Sequence, residues 1–244
     1  MSRARAQALL TSHFGPFGPI KFPYHPMGNI DSLHLFGDTE LMILALYWHN
    51  KAKWHKVLDI GANIGLHSIC MARLGFEVRA YEPDPYHFTK LVENLALNQS
   101  NRVTPYCAAV HTADGSASFV RVLNNLTGNH LEGFKDSYGP RETIPVVTVD
   151  ARPLWGWADF AKIDSEGNEA ALCLTMTKDD LAHMQAVLEV RNEANAKLIY
   201  EHFQSLGVPM WSQKTEWAEV DRMEDMPHQN REGSLFVGHD WPWQ

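Results

Sequence analysis

The chain has 244 residues, 45% hydrophobic and 20% charged, the make-up of one globular domain with a substantial core. Its net charge of −8 argues against a nucleic-acid binder, which needs a basic face, and residues 212–244 add an acidic bias of three Lys/Arg against seven Asp/Glu. Three scattered cysteines (Cys70, Cys107, Cys173) without a CxxC pair argue against a disulfide framework or a thiolate zinc site, and no apolar run approaches the ~18 residues of a membrane span.

The opening MSRARAQALLTSHFG carries two arginines but only a short apolar stretch, which speaks against a secretory signal. A soluble chain in a reducing, cytoplasmic setting is expected. Residues 1–37 form an arm rich in Gly, Pro, His and aromatics, and its FGPFGP at 14–19 reads as a lid or a structural brace. The remainder, 38–244, reads as one domain. It begins with a helix over 38–50, capped by Asp38 or Thr39.

Strands and helices then alternate. KVLDI at 56–60 is a buried strand, and IGLHSICMARL a helix stopped by Gly75. EVRAYEP is a strand ended by Pro83. PYHFTKLVENLALN is an amphipathic helix with Phe88, Leu91, Leu95 and Leu97 toward one face, and RVTPYCAAV is a third strand. SASFVRV and TIPVVTVD are short strands around a polar loop. ADFAKID is a strand, NEAALCLTM a helix, QAVLEV a strand, 193–206 a helix stopped by Gly207, and SLFVGH a last strand. The pattern is α/β, a parallel sheet covered by helices on both faces.

In such sheets ligands bind beyond the carboxyl ends of the strands. VLDIGANIGLHS, residues 57–68, supplies the first strand-to-helix turn. Gly61 and Gly65 let backbone approach a ligand, and Asn63 tolerates a left-handed conformation. The spacing D-x-G-x-N-x-G departs from the dinucleotide pattern G-x-G-x-x-G. Glu82, followed by Pro83 at the end of the second strand, is placed to accept hydrogen bonds from two ribose hydroxyls. Asp59 beside the turn disfavours a pyrophosphate. It suits a cationic nucleoside with an amino group, which S-adenosylmethionine (SAM) is.

These residues carry a resemblance. VLDIGANIGLHS, AYEPDPYHFTKLVENLALN, YCAAVHTADGSASF, VVTVDA and DFAKIDSEGNEAALCL resemble, in order and spacing, the FkbM-type SAM-dependent methyltransferases, over about residues 38–238. The resemblance implies the Rossmann-like class I methyltransferase fold: a seven-stranded, mostly parallel sheet in the order 3-2-1-4-5-7-6, its last strand antiparallel. It implies methyl transfer to a hydroxyl oxygen, and it puts Ala108 and Ala109 near the adenine. The chain departs from relatives at His67, where they often carry an aromatic, and at Asn168, where they often carry a small residue.

The block DFAKIDSEGNE ends the fourth strand. Alternation puts Phe160, Lys162 and Asp164 on one face, with Asp164 at the carboxyl end. A carboxylate there can orient or deprotonate an attacking hydroxyl. Lys162 is either a participant or a partner for a carboxylate inside the sheet. Glu166 is a candidate substrate contact, while Glu169 suits the first turn of a helix. Asp164, Glu166 and a third oxygen could hold Mg²⁺, but the spacing does not require a metal and none is expected. Asn124 and Asn125 are candidates for substrate hydroxyls, His67 and His111 alternative bases, and Trp155 and Trp157 candidate pocket walls.

The expected activity is therefore SAM-dependent O-methylation of a small-molecule or carbohydrate acceptor. Asp59, Gly61, Asn63 and Gly65 take the methionine end of SAM, and Glu82 the ribose. Neither nucleic acid nor membrane is an expected partner, and a homo-oligomer remains open. Two rivals share the scaffold: an NAD(P)-dependent oxidoreductase and a non-catalytic protein of the same fold.

Overall fold

The computed structural model describes residues 12–243 apart from 33, 135, 137, 138, 230 and 231. The opening segment 1–11, and with it the start of the expected arm, lies outside the described residues.

Helix α1 (Asp38–His49) follows the arm. Its N-cap is Gly37, with no side-chain cap bond, so the expected cap by Asp38 or Thr39 does not form. Asp38 and Glu40 instead sit in the first turn, where the helix dipole favours acids. Next come β1 (Lys56–Ile60), α2 (Leu66–Arg73), β2 (Glu77–Tyr81), α3 (Pro85–Leu97) and β3 (Val103–Tyr106). Asp84 caps α3 by accepting from the Tyr86 N–H at 2.9 Å, and Pro85 sets its first turn. Leu91 and Leu95 of α3 are buried, but Leu97 is exposed. Two residues advance a helix by about 200°, so Leu97 falls opposite Leu95.

The expected third strand RVTPYCAAV is two strands in two sheets. β3 ends at Tyr106, and β4 (Ala109–His111) belongs elsewhere. Pro105 lacks an N–H and suits the sheet edge that β3 occupies. β5 (Gly115–Val122), β6 (His130–Leu131) and β7 (Arg141–Asp150) join β4 in a four-stranded sheet of order β6-β5-β7-β4. The core sheet resumes with β8 (Phe160–Ile163), helix α4 (Glu169–Cys173), β9 (Gln185–Glu189) and α5 (Glu193–Leu206). Asn192 caps α5, and Gly207 ends it in the left-handed conformation, as the sequence indicates. β10 (Met210–Ser212), β11 (Ala218–Glu219) and β12 (Ser234–Val237) complete the core sheet, and the arm adds two short two-stranded hairpins of its own.

The central sheet runs β11-β10-β12-β9-β8-β1-β2-β3. Without the two-residue edge strand β11 this is the order 3-2-1-4-5-7-6, with β12 antiparallel to both its neighbours. The fold is thus α/β and Rossmann-like, with eight strands in place of the expected seven. Two large apolar clusters cover the sheet faces. Arm residues Phe17, Ile20, Phe22 and Met27 belong to the same cluster as Trp54, Val57 and Phe160. The arm is also tied to α3: Lys21 N–H donates to Asn98 Oδ1 at 2.9 Å, and Asn98 Nδ2 returns a bond to Lys21 O at 2.7 Å. Among the described residues no helix is long and apolar enough to cross a membrane.

Candidate active site

The parallel strands β1, β2, β8 and β9 end on one side of the sheet, and a cavity of about 310 Å³ lies beyond them. Each functional side chain is delivered by a strand end or by the turn that leaves it.

At the end of β1 the chain reverses tightly. The N–H groups of Gly61 and Ala62 both donate to Tyr81 O at 3.0 Å. Gly61 has φ +78°, and a Cβ there would meet the Asp164 carbonyl oxygen at 1.8 Å. Gly65 has φ +93°, and a Cβ would press on Leu91 Cδ1 at 2.5 Å. Asn63 is left-handed at φ 51°, the conformation that its residue type tolerates. Gly61, Ala62 and Asn63 line the cavity, whereas Gly65 packs against α3.

Glu82, 6% exposed, braces this turn from the end of β2. Its Oε2 accepts the Asn63 N–H at 2.8 Å and its Oε1 accepts the Asp84 N–H at 2.9 Å. Burial pushes its carboxyl up to about 8, against the two N–H bonds that favour the charged form. Each oxygen keeps a lone pair for a further donor. Pro83, Ala108 and Ala109 line the same end of the cavity.

Asp59 is placed differently from the expectation. Its carboxylate is fully buried and does not line the cavity. Ser68 Oγ donates to Oδ2 at 2.5 Å, and Lys162 Nζ lies 3.8 Å from Oδ1. Both faces of β1 are covered, so an acid inside the strand points into the interior whichever face it takes. The register pairs Lys162 of β8 directly with Asp59 of β1. Lys162 also reaches Asp164 Oδ2 at 3.5 Å. Burial opposes its charge, but Asp164, Asp59 and Glu40 outweigh burial and hold the ammonium charged.

The other end of the cavity is a charge cluster. Arg191 Nη2, just past β9, lies 3.2 Å from Asp164 Oδ1, 2.7 Å from Glu166 Oε1 and 2.5 Å from Glu189 Oε2. Burial alone would raise the Asp164 carboxyl. Lys162 and Arg191 override it and hold the group far below the usual carboxylate range. Glu189 goes the other way, raised by burial and by the neighbouring Asp164 charge. The two carboxyls titrate as a coupled pair, in which Asp164 holds its charge more readily than Glu189. Glu169 does not line the cavity; it accepts the Ser165 N–H at 2.8 Å and the Gly167 N–H at 2.9 Å, which shapes the turn that presents Glu166.

Above the cluster, His67 Nε2 meets Glu40 Oε2 at 2.8 Å, and its Nδ1 meets Tyr47 Oη at 2.9 Å. Burial raises the Tyr47 hydroxyl well above its ordinary value, so it stays protonated. The His67 contact holds the Glu40 carboxyl below its ordinary value against the effect of burial.

The loop after β5 closes the cavity. Asn125 lines it, but Asn124 does not. The Asn124 carbonyl accepts the Asn29 N–H at 2.6 Å, so it ties the loop to the arm. From the arm, His34 and Leu35 line the cavity, while the FGPFGP segment packs away from it as a brace. His111, Trp155 and Trp157 do not line it either. Trp155 is a core residue whose Nε1 donates to Thr175 Oγ1 at 2.9 Å, and Trp157 stacks under the Arg79 guanidinium. Among the described residues no group of three His, Cys, Asp or Glu side chains is arranged to hold a metal ion.

Sequence reasoning missed Glu40, Glu189 and Arg191. The last two stand at a strand's carboxyl end in VLEVR, a position that the strand-end rule singles out. Glu40 sits in an ordinary first helical turn and carries no local signal.

The sequence profile of the methyltransferase FkbM domain matches residues 59–217, more than half of the chain. Among solved structures, a precorrin-6y C5,15-methyltransferase from Geobacter metallireducens GS-15 is 14% identical, covering 87% of this chain and 97% of its own, with a TM-score of 0.47. An O-methyltransferase from Bacillus cereus in complex with SAH is 12% identical, covering 82% and 81%, with a TM-score of 0.45. No curated protein matches the chain.

Proposed function

The chain belongs to the FkbM methyltransferase family, and from that premise we propose that it moves the sulfonium methyl of SAM to a hydroxyl oxygen of a small molecule or carbohydrate. The observation that carries the cofactor half of this reading is Glu82: a buried carboxylate at the end of β2, bonded to the glycine turn and lining the cavity.

The residues present fit SAM. Asn63 Oδ1 is buried without a protein partner, and the turn at Gly61 has no room for a side chain. Ala108 and Ala109 leave space for a flat ring beside Pro83. Glu82 takes the ribose hydroxyls, and the turn Gly61–Asn63 takes the methionine end. Asp59 acts from behind, through Lys162, rather than by touching the ligand. Bound there, SAM supplies a methyl group that is already activated for transfer.

The charge cluster serves the acceptor. Asp164, held ionised by Lys162 and Arg191, is an acceptor of hydrogen bonds and a weak base. It orients the attacking hydroxyl, and the proton that this oxygen loses as it takes the methyl would pass to solvent rather than stay on Asp164. Glu166 and Asn125 are further polar contacts on the acceptor side. Most of the acceleration comes from alignment of oxygen, methyl and sulfur, since the methyl donor needs no activation.

Calorimetry with S-adenosylhomocysteine and with NADH tests the cofactor. Binding of NADH without S-adenosylhomocysteine would overturn the reading. A pooled metabolite screen with labelled SAM then identifies the acceptor, and label on carbon or nitrogen instead of oxygen would sink the O-methylation.

A further inference from the structure

Helix α1 faces two ways. Its inner side carries Ile43, Leu44, Leu46 and Tyr47, all buried in the core. Its outer side should be polar, as on a surface helix of a monomer. It is not: Leu41, Met42 and Trp48 are 41%, 39% and 41% exposed, with exposed Ala45 between them. The spacing 41, 42, 45, 48 places all four on one stripe of the helix, and exposed His49, its ring against Trp243, lies on that stripe too.

Charge is distributed at the two ends of this stripe. Asp38 is exposed at the amino end. Lys51 and Lys53 are exposed just past the carboxyl end, and Lys51 Nζ lies 3.1 Å from the centre of the Trp48 ring. A surface with an acid at one end, bases at the other and apolar side chains between is complementary to itself turned end for end. Ala45 sits at its midpoint, and its small side chain lets two backbones approach.

We propose that the outer face of α1 is the interface of a homodimer, in which two copies of α1 pack antiparallel across a two-fold axis at Ala45. The contact is isologous, as two-fold interfaces are. Trp48 of each copy covers Met42 and Leu41 of the other, three to four residues on the far side of the axis. Asp38 of each copy faces Lys51 and Lys53 of the other, and the antiparallel helix dipoles add to the attraction. The net charge of −8 disfavours an anionic membrane as the alternative occupant. Trp48, large and aromatic, is the residue type that dominates such contacts.

Sedimentation velocity on the full chain, from low to high micromolar concentration, tests this. The wild type is expected to sediment as a dimer. Ala45→Glu, at an exposed position that leaves the core untouched, is expected to sediment as a monomer with an unchanged far-ultraviolet spectrum. Trp48→Ala is expected to weaken the dimer at least about tenfold, as loss of one interface anchor does. Asp38→Lys alone is expected to weaken it, and Asp38→Lys combined with Lys51→Glu and Lys53→Glu to restore it. A wild type that stays monomeric throughout overturns the proposal. So does a dimer that survives Ala45→Glu, or a charge reversal that fails to restore association. A monomeric wild type that pulls down another protein through this face also counts against it.

Discussion

Gly61 and Asp164 meet where the first and fourth core strands end, so closely that a Cβ on Gly61 would lie 1.8 Å from the Asp164 carbonyl oxygen. The contact joins the two halves of the site. One residue opens the turn beneath the proposed cofactor, and the other presents a carboxylate to the cavity, on the side proposed for the acceptor. Gly61→Ala strains a φ of +78° and forces these strand ends apart. The expected cost is about 2–4 kcal/mol, read from urea unfolding. A variant that unfolds with the wild type would show that the turn relaxes freely.

Glu82→Ala removes the proposed ribose acceptor and leaves the Asn63 and Asp84 N–H groups without their carboxylate partner. S-adenosylhomocysteine binding is expected to weaken by ~1–3 kcal/mol. Glu82→Gln, which keeps one acceptor oxygen, should fall between. Unchanged affinity in the alanine variant removes Glu82 from the proposed ribose site.

The raised Glu82 carboxyl has consequences with pH. In the folded chain it titrates at about 8, and its ordinary value is 4.5. Between these values the folded chain holds a proton that the unfolded chain has lost, so this group lowers stability as pH rises through that window. Hydroxyl donors favour the charged carboxylate, so a ribose bound there lowers the value and releases the proton. Affinity for S-adenosylhomocysteine should therefore rise with pH, by up to about tenfold per unit, and level off above about 8. Calorimetry in buffers of different ionisation enthalpy measures the released proton, and a pH-independent affinity counts against the assignment.

Asp164→Asn keeps the shape and loses the charge that Lys162 and Arg191 hold. Binding of S-adenosylhomocysteine should be unchanged. Turnover of the acceptor found by screening should fall by about 100-fold, because the hydroxyl is no longer oriented. Full turnover excludes Asp164 from contact with the acceptor.

Lys162→Met leaves Asp59 buried without its cation. The expected loss is about 3–5 kcal/mol. Adding Asp59→Asn removes the stranded charge and should recover a large part of it. If the double variant is no more stable than Lys162→Met, the pair is not coupled.

Local signals made much of this legible. Several core strands and helices are punctuated by their own residues, as at Gly75, Pro83 and Gly207. The same rules lead to Glu82 and Asp164, since both end strands whose carboxyl ends face the ligand side. The rules failed where a side chain's role depends on what lies behind it. Asp59 reads as a ligand contact because it stands beside the turn, but Val57 on its own face and Leu58 and Ile60 on the other already mark a strand buried on both faces. RVTPYCAAV reads as one strand because nothing in its residues shows that β4 pairs with β7, about 40 residues later.

The sequence alone pointed to the family, most of the core strands and helices, the glycine turn and the acid of the second strand. All of these rest on contacts between residues close in the chain. The tertiary structure decided which strand ends share a cavity. It brought Glu40, Glu189 and Arg191 from distant segments to Asp164, and it set Lys162 of β8 opposite Asp59 of β1. Register and strand order are non-local, and burial beside a particular neighbour is what sets the charge state of each of these groups.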